Sequence, residues 1–166
     1  MGNDIWVLPY TTITAKHPNY KAGNRIVISK KNDRFQDSEG EIIIEDEVSI
    51  GSYNIIQGFG GLRIKSRVTT SARVSIYSYS HYPVDKENPS RITYANSMVK
   101  SPNISCISSP IVIEEGVWLG LNVIVMGGTI GKYSFVSSNS VVVGGLPENS
   151  HASGYPAKKQ RNRFKL

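Results

Sequence analysis

Residues 44–79 read IEDEVS IGSYNI IQGFGG LRIKSR VTTSAR VSIYSY. Written in sixes, every block opens on an aliphatic residue: Ile44, Ile50, Ile56, Leu62, Val68, Val74. The fifth place is mostly small: Val48, Asn54, Gly60, Ser66, Ala72, Ser78. A helix turns about 100° per residue, so positions six apart fall on different faces. A flat strand repeats every two residues, and Gly51, Gly58 and Gly60 would weaken it. One short strand plus a tight corner fits six residues. Three such sides close a triangular rung of about 18 residues. The aliphatic residues then point inward and the small ones fill the corners.

The period stops at Ser80 and resumes at Ile113, Leu119, Val125, Ile130, Val136 and Val142. The corner positions of this second run are Val117, Val123, Thr129, Ser134, Ser140 and Leu146. The block Val125–Thr129 is one residue short, and Gly127 and Gly128 can adopt the backbone angles that absorb the deletion. Between the runs, residues 80–110 are polar and hold Pro83, Pro89, Pro102 and Pro110. A connection of that length inside a compact domain is usually functional. Residues 1–43 are less regular, although Asn24–Ser29 has strand character. The chain thus reads as one domain: a lead-in over 1–43, a first run over 44–79, an inserted loop over 80–110, a second run over 111–147, and a closing segment with a basic tail over 148–166.

Composition bounds the answer further. The 166 residues include 19 Lys+Arg and 13 Asp+Glu, a net charge of +6, with 39% hydrophobic residues. That is too apolar for a disordered chain and suits a single globular domain. Cys106 is the only cysteine, so no intrachain disulfide can form, and a reducing cytoplasmic setting is the expectation. Apolar runs such as Ile42–Ile44 and Val141–Val143 are far too short to span a bilayer. The first residues lack a basic region followed by an apolar stretch, so no signal peptide is expected.

Four short stretches carry a family resemblance. Val117-Trp118-Leu119-Gly120 resembles a V-W-I-G step, and Gly128-Thr129-Ile130-Gly131 resembles a G-V-T-I-G turn. Ser138-Asn139-Ser140-Val141-Val142 resembles an A-G-S-V-V coil, and Gly154-Tyr155-Pro156-Ala157-Lys158 a G-N-P-A-K closing motif. In order and spacing these are similar to the hexapeptide-repeat acyltransferases. The resemblance implies an all-β fold, a left-handed parallel β-helix with a long loop between two runs of coils and a short basic tail. It covers roughly residues 44–161. The nearest subgroup is the sugar and polysaccharide O-acetyltransferases of the maltose and galactoside type, so the implied activity is transfer of acetyl from acetyl-CoA to a sugar hydroxyl.

Such a transfer has three needs. The hydroxyl must lose a proton, the tetrahedral oxyanion must be stabilised, and the thioester must be held. Ser80-His81-Tyr82-Pro83-Val84-Asp85 resembles the family's H-P-x-D segment with Tyr82 inserted. An imidazole, with an unperturbed pKa of about 6.5, suits a general base, and the resemblance assigns that role to His81. Asp85 would orient the ring, a task a backbone carbonyl serves equally. The resemblance places the oxyanion donor at the backbone amide of Leu121. It puts Trp118 beside the pantetheine arm, Ser138 at the pantetheine amides, Pro156 and Ala157 against the adenine, and Lys158 and Arg161 at the phosphates. Asn54 falls where relatives hold an acceptor contact, but it also occupies a corner, where Asn is structurally welcome. Tyr82 and the rest of the loop would line the acceptor pocket. A homotrimer with shared sites is implied.

Other readings use other features. An N-acyltransferase of a nucleotide-linked amino sugar, or an antibiotic acetyltransferase, would keep the same fold and donor. A zinc-binding β-helix needs a histidine trio, and His17 and His151 lie outside both runs, so no metal is expected. A structural subunit would not need His81 or the closing motif. The basic tail has no aromatic platform or recognition helix beside it, so no nucleic acid is expected.

Overall fold

The computed structural model describes residues 4–15, 25–28, 41–82, 88, 90, 92 and 105–165. Among them there is no helix; short parallel strands stack into a left-handed β-helix with three walls. The first wall contains Trp6–Val7, Ser49–Ile50, Thr69–Thr70, Trp118–Leu119, Phe135–Val136 and Ser150–Gly154. The second contains Thr12–Thr14, Ile55–Gln57, Ser75–Tyr77, Ile124–Val125 and Val141–Val142. The third contains Arg25–Ile28, Glu41–Ile44, Leu62–Ile64, Ile111–Ile113 and Gly128–Ile130.

Ile44, Ile50, Ile56, Leu62, Val68, Val74, Ile113, Leu119, Ile130, Val136 and Val142 are all buried, as the hexads require. Each such side chain withdrawn from water contributes about 1.5–3 kcal/mol. The register differs from the regular period, however. Ile44 pairs with Ile64, Ile50 with Thr70 and Ile56 with Ile76, an offset of twenty residues. In the second run Ile113 pairs with Ile130, Leu119 with Val136 and Val125 with Val142, an offset of seventeen. The corner at residues 57–61 holds two extra residues. From there on, Leu62, Val68 and Val74 stand two places before the strand residues Ile64, Thr70 and Ile76. Both positions face inward, which is why counting in sixes still lands on buried residues. Ser66 and Ala72 consequently lie in half-exposed turns, and Thr129 is exposed while Gly128 pairs with Ile111.

Residues 1–43 are more than a lead-in. Trp6–Val7, Thr12–Thr14 and Arg25–Ile28 pair in parallel with Ser49–Ile50, Ile55–Gln57 and Glu41–Ile44. They extend all three walls without a hexad, because other chain segments separate them. The basic tail is also ordered: Ala157–Asn162 runs antiparallel to Ser150–Gly154 and closes the first wall. Between the runs, Tyr79–Tyr82 and Ser105–Ser108 pair as a two-stranded antiparallel arm at the corner between the second and third walls. No helix among the described residues is long and apolar enough to cross a membrane.

Candidate active site

Two residues expected at the donor site, Leu121 and Ser138, lie at the corner joining the first and second walls. The corner's two-residue turns stack as Pro9-Tyr10, Ser52-Tyr53, Ala72-Arg73, Leu121-Asn122 and Ser138-Asn139. In each pair the second residue has a positive φ, between 56° and 63°. A hydrogen-bond ladder locks the stack: Tyr53 N to Pro9 O (3.2 Å), Arg73 N to Ser52 O (3.0 Å), Asn122 N to Ala72 O (3.1 Å) and Asn139 N to Leu121 O (2.9 Å). Because these residues take the left-handed conformation, the corner can turn within two residues. The result is a groove of about 590 Å³ lined by residues 52, 53, 72, 73, 121, 122, 138 and 139.

Leu121 and Ser138, both expected at the donor site, meet here. Leu121 is 56% exposed, and its backbone N–H donates to Ser138 Oγ at 3.1 Å. Gly120 makes this approach possible: a Cβ there would lie 2.8 Å from Ser138 N and 2.9 Å from Val136 O. Trp118, three residues earlier on the first wall, is 44% exposed and donates its Nε1–H to Ser71 Oγ at 3.2 Å. Its ring tilts against Phe135 (4.8 Å), and Phe135 against His151 (5.2 Å).

The closing strand continues the same corner. Ser137 N donates to Ala152 O, and Gly154 N to Ser140 Oγ, so the turn at Tyr155-Pro156 lies directly beyond Ser138. Pro156 and Lys158 are exposed, and Ala157 packs against the core. Arg161 donates its Nε–H to His151 Nδ1 at 3.1 Å. With Nδ1 accepting, the ring proton sits on Nε2 and reaches Ser137 Oγ at 2.9 Å. His151 thus holds Arg161 against the wall, a role that its position past the second run did not reveal.

His81 lies in the arm, its backbone paired with Cys106, and Tyr82 with Ser105. Asp85 falls outside the described residues. The arm lies at a different corner from the one that holds Leu121, so one chain does not line both on one edge. Asn54 is a correction: it is fully buried, its Nδ2 donating to Thr70 Oγ1 at 2.6 Å and its Oδ1 accepting from Val74 N at 2.7 Å. Both halves of the amide are engaged inside the coil, so it offers nothing to an acceptor. The left-handed residue is its neighbour Tyr53. Among the described residues, no three His, Cys, Asp or Glu side chains cluster to hold a metal.

No family model matches the chain. It is 34% identical over 125 residues to WbbJ of Escherichia coli, whose name assigns it to O-acetyl transfer in lipopolysaccharide biosynthesis. That match covers 72% of this chain and 59% of WbbJ. A hexapeptide-repeat acetyltransferase of Vibrio cholerae, complexed with acetyl coenzyme A, superposes with a TM-score of 0.50 at 25% identity, over 84% of this chain and 72% of that one. In sequence and fold the chain is similar to the hexapeptide-repeat acyltransferases. AntD, an N-acyltransferase of Bacillus cereus in complex with dTDP and coenzyme A, shares the fold with a TM-score of 0.73 at 18% identity, over 98% of this chain and 82% of AntD. This hexapeptide-repeat chain spans about half the length of the curated relatives it matches.

Proposed function

We propose that the chain is an acetyl-CoA-dependent O-acetyltransferase acting on a hydroxyl of a sugar or surface polysaccharide. The observation that carries this reading is the Leu121 amide. It is exposed in a groove, and Ser138 Oγ, which can rotate away, is its acceptor at 3.1 Å. An oxyanion can take that place without any movement of the backbone, which is what a preorganised donor requires.

The donor lies along the corner. Its thioester carbonyl sits at Leu121, its pantetheine passes Ser138 and Trp118, its adenine meets Pro156 and Ala157, and its phosphates meet Lys158 and Arg161. The imidazole of His81 takes the proton of the acceptor hydroxyl as the oxygen attacks the thioester carbon. The oxyanion draws on the Leu121 N–H. Collapse expels the coenzyme A thiolate, which recovers the proton from the imidazolium. Asp85 orients the ring. Since the arm and the groove occupy different corners, His81 reaches the groove of a neighbouring chain, and a homotrimer closes three such sites. The lone Cys106 fits the reducing cytosol, where the enzyme works.

The test is release of coenzyme A thiol from acetyl-CoA by the purified protein across a panel of glycans and nucleotide-linked amino sugars. Thiol release stimulated by a glycan supports the reading. Stimulation by amino sugars alone replaces it with N-acyl transfer, the chemistry named for AntD. Absence of both thiol release and coenzyme A binding would overturn the enzyme reading altogether.

A further inference from the structure

The groove has two ends, and only one is accounted for by the donor. Leu121 marks the reacting carbonyl, and Ser138, Pro156, Lys158 and Arg161 all lie on the C-terminal side of it. On the other side the same ladder continues through Arg73, Tyr53 and Tyr10, one rung each. At the strand spacing of a sheet these stand about 5, 10 and 14 Å from the Leu121 rung. None of the three side chains serves the core. Tyr10 and Tyr53 are 75% and 56% exposed, and their rings stack at 4.8 Å and 15°. Tyr10 covers one face of Tyr53, and the other face has no ring or guanidinium against it among the described residues. The Arg73 guanidinium is exposed and has no ion-pair or hydrogen-bond partner among them either. On the neighbouring corner, by contrast, Lys65 and Arg67 are paired with Glu114 and Glu115.

We propose that this N-terminal half of the groove binds an acidic glycan, with Arg73 holding a sugar carboxylate and the open face of Tyr53, backed by Tyr10, receiving an adjacent sugar ring. The inference rests on the O-acetyltransferase reading and names its acceptor class. A planar guanidinium matches a carboxylate in two parallel hydrogen bonds, and a free one in a groove is an anion site without a built-in competitor. An aromatic face receives the apolar face of a sugar ring, while the phenol oxygen remains available to its hydroxyls. Three rungs exceed one pyranose, so the occupant is a chain rather than a monosaccharide.

Matched probes test it: oligogalacturonate and its fully methyl-esterified form, which lacks the charge and carries one added methyl per residue. Binding is measured by calorimetry without acetyl-CoA, and acetyl transfer is measured separately. The charged form should bind about tenfold tighter in the wild type. Arg73→Gln should bring that ratio close to one. Lys132→Gln, which removes the same charge from the neighbouring corner, beside Arg67 and Glu115, should leave it unchanged. Tyr53→Ala should weaken the oligomer more than the monomer. Equal binding of both forms by the wild type, or a ratio that survives Arg73→Gln, overturns the acidic acceptor while transfer to other glycans would keep the enzyme reading intact. Charge-selective binding without any coenzyme A binding would do the reverse.

Discussion

The backbone N–H of Leu121 donates to the hydroxyl of Ser138, one rung further along the same corner, at 3.1 Å. The two residues are seventeen apart in the chain and belong to different coils. Stacked turns bring them together, so the amide is fixed by the whole ladder rather than by its own loop.

Gly120 sets that geometry. In Gly120→Ala the new Cβ would sit within 3.0 Å of Ser138 N, Val136 O and Ser138 Oγ. Forcing an extra methyl into packed backbone costs about 1–3 kcal/mol. The melting temperature should fall by several degrees, and kcat should fall with it as the Leu121 amide is displaced. Thermal unfolding and steady-state kinetics, both unchanged, would contradict this account of the corner.

Asn54 separates a structural from an acceptor role. Asn54→Leu keeps the size but strips Thr70 Oγ1 and Val74 N of their partners. Stability should drop by about 1–3 kcal/mol in urea unfolding. KM for acetyl-CoA and for the glycan should stay at the wild-type value in the folded protein. A raised acceptor KM with unchanged stability would return Asn54 to the binding site.

How far the sequence speaks can be judged from these residues. The inward set was legible because a solvent-excluded prism accepts little but aliphatic side chains, and Ile44, Ile50 and Ile56 recur accordingly. The two extra residues at 57–61 were hidden, since Leu62 and Ile64 both face inward and either keeps the count. Arg25–Ile28 was legible as a strand within Asn24–Ser29, but its place in the third wall, and the strands Trp6–Val7 and Thr12–Thr14, were hidden for a different reason: the segments between them break the spacing, leaving no period to read. The motifs drew attention to Leu121 and Ser138, which the coils bring into contact one rung apart. Tyr10, Tyr53 and Arg73 were not legible, because only the stacking of coils aligns three residues so unevenly spaced in the chain.

Glu45 supplies a control away from the groove. It is 7% exposed and accepts from Arg63 Nε at 2.8 Å and from Ser66 N at 3.2 Å, with Arg63 Nη2 at 2.7 Å. Removing one partner of a buried pair costs on the order of 3 kcal/mol. Glu45→Ala should shift the urea midpoint downward with an unchanged slope, while kcat of the folded enzyme persists. A loss of kcat without a loss of stability would place this corner in the mechanism.

His81→Ala should lower kcat by about a hundredfold or more, the usual contribution of a positioned base. Coenzyme A affinity, measured by calorimetry, should hold, because the imidazole meets the acceptor hydroxyl rather than the nucleotide. Near-native turnover would remove His81 from the chemistry.

The shared site is tested most directly by mixing two inactive chains. One carries His81→Ala; the other carries Lys158→Glu and Arg161→Glu and cannot hold the donor. Each pure variant is inactive. After co-refolding in equal amounts, about one site in four joins an intact arm to an intact groove from its neighbour. The account predicts that acetyl transfer returns to about a quarter of the wild-type rate. Activity that stays at the level of the pure variants would show that arm and groove act within one chain.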